Sequence, residues 1–563
     1  MKNKAKKMLT LALAATVALG SLSAMACKPS GSEDDNSTQS ILYVSNYAGG
    51  FGSKWMDEIE KRFEAKYANE SFEDGKVGVD IKVSHNKTLG SQYFDKVAGS
   101  KQEVFFVEDV DYYKWVNEGK MLDISSVVTE SNPNDGKTVF SKLTKDEQDF
   151  YNADGKYYAI PHHDHQAGII YDIDLFEQEG FYFAKNGAPS EKSYTGTVKF
   201  TSDGAKSAGP DGEYDTSDDG LPATYDEFYT LCDYIAKKKS DVTLVPFIWS
   251  GQNRRDYLDW LLSELTADFE GEEQLRLNYT FDGTAKNLVS VDDAGNITRL
   301  GDTKITTENG YLMYQTEGRL KALEFVDRII DSTESDVKWG ESSTLFGPDS
   351  QLQAQDKYIY GATGINSTRY AFLVDGTWWE SEASDTFDRV EDRTAGKYTK
   401  NAMRFGLLPL PKANADKIGE QFTIATTEVT VGFVKSNIKE SKINLAKTFM
   451  QFVYAEEQLR AFNTISGMPA APDYNLTDAE YESLSSYEKS LYDVKNNSVS
   501  PYSTTPVYIN NYSSLMLKST FTAKGSKASE SLRTRSAVEH FRDLYSKSGR
   551  DESSWKSLIK NLK

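Results

Sequence analysis

Residues 41–67 read ILYVSNYAGGFGSKWMDEIEKRFEAKY, and this stretch decides the fold. Ile41-Leu42-Tyr43-Val44-Ser45 is a β-rich run. It breaks at Asn46-Tyr47-Ala48-Gly49-Gly50-Phe51-Gly52. Trp55, Ile59, Phe63 and Tyr67 then recur every four residues, which predicts a helix with one apolar face. Asp57 and Glu58 lie near its start, where the helix dipole favours acids. The next segments repeat the theme. Val77, Val79, Ile81 and Val83 alternate with polar or small residues and predict a strand. A helix is expected over 93–97, a strand over 103–107 and a helix over 112–116. Strand–helix alternation predicts a parallel sheet with helices on its faces. Ligands bind such sheets beyond the carboxyl ends of the strands. The loops in question are 46–52 and 108–111.

N-terminal to this unit, Lys2, Lys4, Lys6 and Lys7 precede an uncharged stretch from Met8 to Ala26. Small residues lead up to Cys27. This is a secretory signal. It resembles a bacterial lipoprotein signal, with cleavage before Cys27 and lipid on its thiol; Ala24 stands where such signals more often carry Leu. Residues 1–26 are therefore assigned to the leader. Residues 27–40, polar and without an apolar period, are a flexible tether. Removing 26 residues that carry four lysines and no acids leaves 537 residues at a net charge of −25. No later stretch approaches the ~20 apolar residues of a membrane span.

Composition narrows the function. The 563 residues hold 85 acids against 64 lysines and arginines, a balance of −21. Nucleic acid is excluded as the main partner, because a phosphate binder needs a basic face. The 33 Tyr, 28 Phe and 8 Trp are too many for a disordered chain. Two cysteines cannot build a disulfide framework. Cys232 falls in a helical pattern (224–238) and is expected to be a small buried apolar residue.

A second unit begins near residue 156. Strands are expected at 168–171, 243–249, 374–382 and 429–434, with helices at 224–238, 256–266, 311–331, 530–547 and 551–563. Four stretches in order carry a resemblance: the opening strand with YAGGFG (47–52), GKYYAIPHHDHQAGIIYDIDLF (155–176), LPATYDEF (221–228) and YAFLVDGTWWESEA (370–383). Weaker echoes lie at 407–412 and 446–472. The chain resembles the bacterial extracellular solute-binding proteins of sugar ABC transporters, the maltose-binding-protein-like type. Inserts at 185–222 and 267–310 make it a large example. The resemblance implies two discontinuous α/β lobes of the type II periplasmic-binding-protein kind, joined by a hinge, with the ligand in the cleft between them. Crossings near 160, 372 and 433 divide the chain into an N-terminal lobe of 41–160 plus 372–433 and a C-terminal lobe of 161–371 plus 434–563. It also implies a carbohydrate ligand, membrane permease subunits as partners, attachment to the outer face of the cell membrane through Cys27, and no catalysis.

A sugar offers apolar C–H faces and a rim of hydroxyls. Aromatic rings suit the faces and charged acceptors suit the rim. Trp378, after Gly376, matches the cleft-lining Trp of the resembling family, and Trp379 follows it. Tyr47 and Phe51 sit on the first strand-to-helix loop, Trp249 at a strand end. Glu108 and Asp109 follow the strand EVFFV; the plainer reading of Asp109 is a helix N-cap. Glu428 interrupts a β-like run and needs a partner. Arg255, in the polar loop 253–256, is a further candidate contact. Trp55 is expected in the core.

His162, His163 and His165 cluster in HHDH. In an extended segment His163 and His165 would share a face, too few ligands for a closed metal site. The resembling family places a ligand-contacting polar residue here, so His163 is taken as a sugar contact. The run GPDGEYDTSDDG (209–220) packs five carboxylates into nine residues, a composition that suits a structural Ca²⁺. Its ligands would be Asp211, Asp215, Asp218 and Asp219; the alternative is a series of Asx turns. No cofactor is required. The rival readings are a receptor for a non-sugar solute and a secreted glycoside hydrolase with paired carboxylates. The sequence contains no GxSxG and no HExxH.

Overall fold

The structure, a computed structural model, describes residues 38–333, 335–425, 429–501, 532, 535–546 and 551–562. Its first sheet has five strands: β1 (Ser40–Tyr47), β2 (Val79–Asn86), β3 (Val104–Val107), β4 (Ala159–Pro161) and β9 (Val431–Val434). Their order is β2-β1-β3-β9-β4. β1 pairs in parallel with β2 and β3, as the strand–helix alternation predicts. β9 runs antiparallel between β3 and β4. Helix α1 (Lys54–Lys66) buries Trp55, Met56, Ile59 and Phe63 on this sheet. Each buried indole removes about 150–250 Å² from water, worth ~4–6 kcal/mol at ~25 cal/mol per Å². Trp55 packs edge-on to Phe106 and Phe462.

The second sheet has the order β8-β5-β7-β6, from β8 (Phe405–Leu408), β5 (Ala167–Asp172), β7 (Thr368–Gly376) and β6 (Thr243–Trp249). β5 lies antiparallel to β7 and β8, while β6 is parallel to β7. All six residues of β5 are buried. This is a sheet covered on both faces, and its strands read as continuous apolar runs.

The sheets redraw the expected lobe division. The sequence reading assigns residues 372–408 to the first lobe, yet β7 and β8 pair inside the second sheet. It assigns residues after 434 to the second lobe, yet α4 (Glu440–Val453) and α5 (Glu456–Ser466) pack with α1 in the core of the first. The chain returns to the second lobe with α6 (Ser486–Asn497), which packs on β8 and Trp379. Among the described residues the chain crosses at 162–166, between Ala425 and Val429, and at 467–485. The strands Phe405–Leu408 and Val431–Val434 are both short, buried apolar runs, so no local signal marks which sheet each one joins. The crossing expected near 372 falls inside β7, and the passage between Ala425 and Val429 lies a few residues before the crossing expected near 433.

Of the two inserts, the second begins inside a helix. α3 (Arg254–Thr280) extends well past the expected end at 266 and breaks at Gly271, whose φ of 69° lies in the left-handed region. Two short hairpin ladders, 283–305, follow, and their core takes in Trp555. Cys232 is buried and unpaired, as expected. Among the described residues no helix is long and apolar enough to cross a membrane.

Candidate functional site

The carboxyl ends of β1 and β3 lie side by side and place the loops 46–52 and 108–111 together. The Tyr47 ring folds over Gly49, where an added Cβ would meet it at 2.5 Å. Phe51 turns inward onto His163, ring centroids 4.6 Å apart. His163 Nε2 is 3.1 Å from Glu108 Oε1, and both side chains are buried. Two expected sugar contacts thus partner each other. Thr430, just after the second crossing, fixes His163: its hydroxyl accepts from the His163 amide at 3.1 Å and donates to the His163 carbonyl at 2.7 Å. His162 points the other way, between Trp55, Phe106 and Phe462. Burial drives its pKa well down, so it is a neutral core residue.

The second lobe contributes the loop after β7. Asp375 shapes it: Oδ1 accepts from the Gly376 amide at 2.9 Å, and Oδ2 from Gln355 Nε2 at 3.0 Å. Burial, reinforced by the Glu382 charge, holds this carboxyl well above the usual range. Gly376 is obligatory, since an added Cβ would lie 2.2 Å from the Trp378 ring. The Thr377 amide donates to the Gln166 carbonyl at 2.9 Å, tying the loop to the first crossing. Trp378 therefore stands beside the hinge. His165 stacks on it at 4.4 Å and 25°. Trp260 and Tyr257, from the first turns of α3, meet it edge-on at 5.5 and 6.2 Å. Tyr257 and Trp378, though carried by the second lobe, pack into the core of the first. The contact is close: a Cβ on Gly50 would be 2.8 Å from Trp378 Cβ.

The structure thus brings together Tyr47, Phe51, Glu108, His163 and Trp378. It separates the others. Trp249 is fully buried in the second core, and its indole N–H donates to the Leu345 carbonyl at 2.8 Å. Trp379 is fully buried among Tyr358, Phe387, Phe405 and Tyr487. Consecutive residues at a strand-to-helix turn point apart, so only one of this Trp pair faces the cleft. Asp109 is half-buried with φ 58°, and its carbonyl accepts from the Ser91 amide at 3.0 Å. The helix N-cap is Asp111 instead. Arg255 is exposed in the first turn of α3. Glu428 and Cys27 lie outside the described residues.

His163 and His165 do not converge as a metal pair; one turns to Glu108 and the other to Trp378. The aspartates of the 209–220 loop serve the loop itself. Asp218 accepts from the Asp211 amide and the Thr216 hydroxyl, at 3.0 and 2.6 Å. Asp219 accepts from the Asp215 amide at 3.0 Å, and Asp211 from the Glu213 amide at 2.8 Å. Asp211 alone makes an Asx turn, accepting from the amide two residues on; Asp218 and Asp219 reach back to amides earlier in the loop. Among the described residues no group of three or more His, Cys, Asp or Glu is arranged to hold a metal ion.

Tyr257, Trp260 and His165 escaped the sequence reading. A signal existed for the first two: aromatic residues three apart, opening a helix directly after a strand end and the polar loop 253–256.

In outline the site is a junction of two lobes, lined by aromatic rings and edged by buried carboxyl groups. Solved structures share the whole architecture. A chitin oligosaccharide binding protein aligns with 91% of this chain and 99% of its own, at a TM-score of 0.52 and 13% identity. The apo form of RafE from Streptococcus pneumoniae aligns with 93% and 98%, at 0.51 and 13%. Maltose-bound MalE3 of T. maritima aligns with 90% and 98%, at 0.51 and 12%. The chain has the type II periplasmic-binding-protein fold. No family model matches it, and no curated protein matches it in sequence.

Proposed function

We propose that the protein is a non-catalytic carbohydrate receptor of an ABC importer, held outside the cytoplasm, which captures an oligosaccharide and delivers it to membrane permease subunits. One observation carries this reading: Trp378 stands where the two lobes meet, with Tyr257, Trp260 and His165 around it and the Gly50–Phe51 loop opposite. Rings gathered at a hinged junction offer flat apolar platforms to sugar faces. Glu108, which meets His163 through Oε1, offers its second carboxyl oxygen to a hydroxyl group. Closure of the lobes would bury the ligand from both sides. The shared fold supports the reading, since its relatives include proteins named for chitin oligosaccharide and maltose. The lipoprotein-like leader supports an anchor on Cys27.

The test is thermal unfolding of the full chain carrying Cys27→Ser, against a panel of mono- and oligosaccharides. A ligand at 100 times its dissociation constant adds about 2.7 kcal/mol. One stabilising sugar, recovered unchanged, is the expected result. A flat panel moves the ligand to a non-sugar solute. A consumed sugar makes the protein a glycoside hydrolase. The anchor is tested separately: wild-type protein partitions with the membrane fraction and Cys27→Ser does not.

A further inference from the structure

Next to the aromatic junction, and sharing His163 and His165 with it, the hinge holds a group of charged side chains. A cavity of about 100 Å³ lies where the first and third crossings meet α6, with Glu147, Asp164, Asp473 and Lys495 in its wall. Among the described residues lining it, Lys495 is the only lysine or arginine. Lys495 belongs to α6, a helix of the second lobe, and its side chain is 13% exposed. Its ammonium donates to the Ala471 carbonyl at 2.8 Å and lies 3.3 Å from Asp164 Oδ2. Asp164 is in the first crossing and Ala471 in the third. Those two crossings also bond each other, the Ala471 amide donating to the His162 carbonyl at 3.1 Å. Glu147 comes from a first-lobe helix, α2 (Lys145–Phe150), where it closes a capping box with Thr144. One cation thus faces three carboxylates, drawn from the first lobe and both crossings. Burial alone would push its pKa down; Asp164, Glu147 and Asp473 outweigh burial and hold it above the usual lysine value.

We propose that Lys495 is a latch on the hinge: it sets the angle between the lobes, and through that the affinity for a ligand in the cleft. The inference rests on the receptor reading for its ligand arm alone. A hinge concentrates its backbone rotation in the crossing segments. An ammonium fixed to the second lobe and bonded to two crossings keeps both bonds at one angle only. A contact present in one state and absent from the other biases the equilibrium between them. In this structure the latch is engaged while Trp378 touches the Gly50 loop, so it favours the closed form. Without the ammonium, the second lobe loses its ion pair to Asp164 and its hydrogen bond to the Ala471 carbonyl, the two bonds that tie it to the crossings.

The experiment compares wild type, Lys495→Met, Lys495→Arg and Asp164→Asn, each as the full chain with Cys27→Ser. Spin labels go on Lys61→Cys and Lys239→Cys, exposed positions on the first and second lobes. Native Cys232 is buried and stays unlabelled. Lys495→Met is expected to shift the label distances of the unliganded protein to longer values. It is expected to weaken binding of the stabilising glycan about tenfold by lowering the fraction of closed protein. Lys495→Arg restores both. Asp164→Asn, which keeps its size, acts in the same direction and serves where Lys495→Met does not fold. Unchanged distances in Lys495→Met, or in Asp164→Asn, overturn the latch, even where the melting temperature falls. If no glycan binds the wild type, the receptor reading fails, and the label distances still decide the latch.

Discussion

Gly50 offers the sharpest test of the interlobe junction. Its φ lies outside the left-handed region, so its backbone suits alanine. A Cβ there would lie 2.8 Å from Trp378 Cβ, 2.9 Å from Cδ1 and 3.0 Å from Cγ. Carbon atoms rest at about 3.5–4.0 Å, so the loop and the indole must separate by roughly 0.5–1.2 Å. The two groups belong to different lobes, and the clash exists only while the lobes are together. Overpacking of this size costs ~1–3 kcal/mol. Gly50→Ala therefore weakens ligand binding about 5- to 160-fold. The unliganded protein escapes the clash by opening. It even gains about 0.4–1 kcal/mol from the reduced freedom of its unfolded chain. The assay is titration calorimetry with the glycan identified by the unfolding panel, beside melting of the free protein. Gly99→Ala is the control, because an added Cβ there meets nothing within 4 Å. Gly50→Ala binding as tightly as wild type would refute the claim that the lobes close through this contact.

The Trp pair separates recognition from packing. Trp379→Ala should lower stability by about 3–5 kcal/mol, while the protein that remains folded binds ligand normally. Trp378→Ala should cost affinity at least as steeply as stability. Equal ligand affinity for wild type and Trp378→Ala would show that this ring is packing alone. Glu108→Ala leaves the buried His163 imidazole without its carboxylate and should cost ~1–3 kcal/mol in chemical denaturation; Glu108→Gln, which keeps an acceptor, should recover most of it. Stability should also fall as pH rises from about 4 to 7. Burial pushes Asp268, despite its ion pair with Lys412, up to about 6, and Glu147 up to about 7. Their unfolded values lie near 4. Within that window the folded protein holds protons that the unfolded chain has released, so raising pH favours unfolding. Glu147→Gln should flatten melting temperature against pH between about 4.5 and 7, and an unchanged slope would contradict this assignment.

What the sequence reveals follows from the range of each signal. The helix after Gly52 rests on a four-residue apolar period, and α1 buries Trp55, Ile59 and Phe63 as that period requires. The parallel pairing of β1, β2 and β3 follows from local alternation. The cleft loop 47–52 is legible for the same reason, because a break directly after a strand is a local event. Lobe membership is not local. Val431–Val434 and Thr368–Gly376 are both short apolar runs, and nothing within either records that β9 pairs with β3 and β7 with β5. The direction of a side chain is decided between these extremes. Trp378 and Trp379 are adjacent and chemically identical, yet Gly376 lets the first ring fold back over the turn while the second enters a core of four aromatic rings.

The same distinction explains why the junction mixes anticipated and unanticipated residues. Tyr47, Phe51 and Glu108 occupy loops that end adjacent strands, so sequence order already places them together. His165 and Trp260 reach Trp378 only because the Thr377 amide holds its loop to Gln166 in the first crossing. That bond joins residues 211 positions apart, a separation that no local pattern records. Lys495 is the extreme case. It looks like an ordinary solvated lysine near the end of a polar helix, and it acquires three carboxylate neighbours only when the third crossing brings α6 against the hinge. A residue of that kind can govern how the lobes move without any sequence signature, since its effect depends on which segments cross beside it.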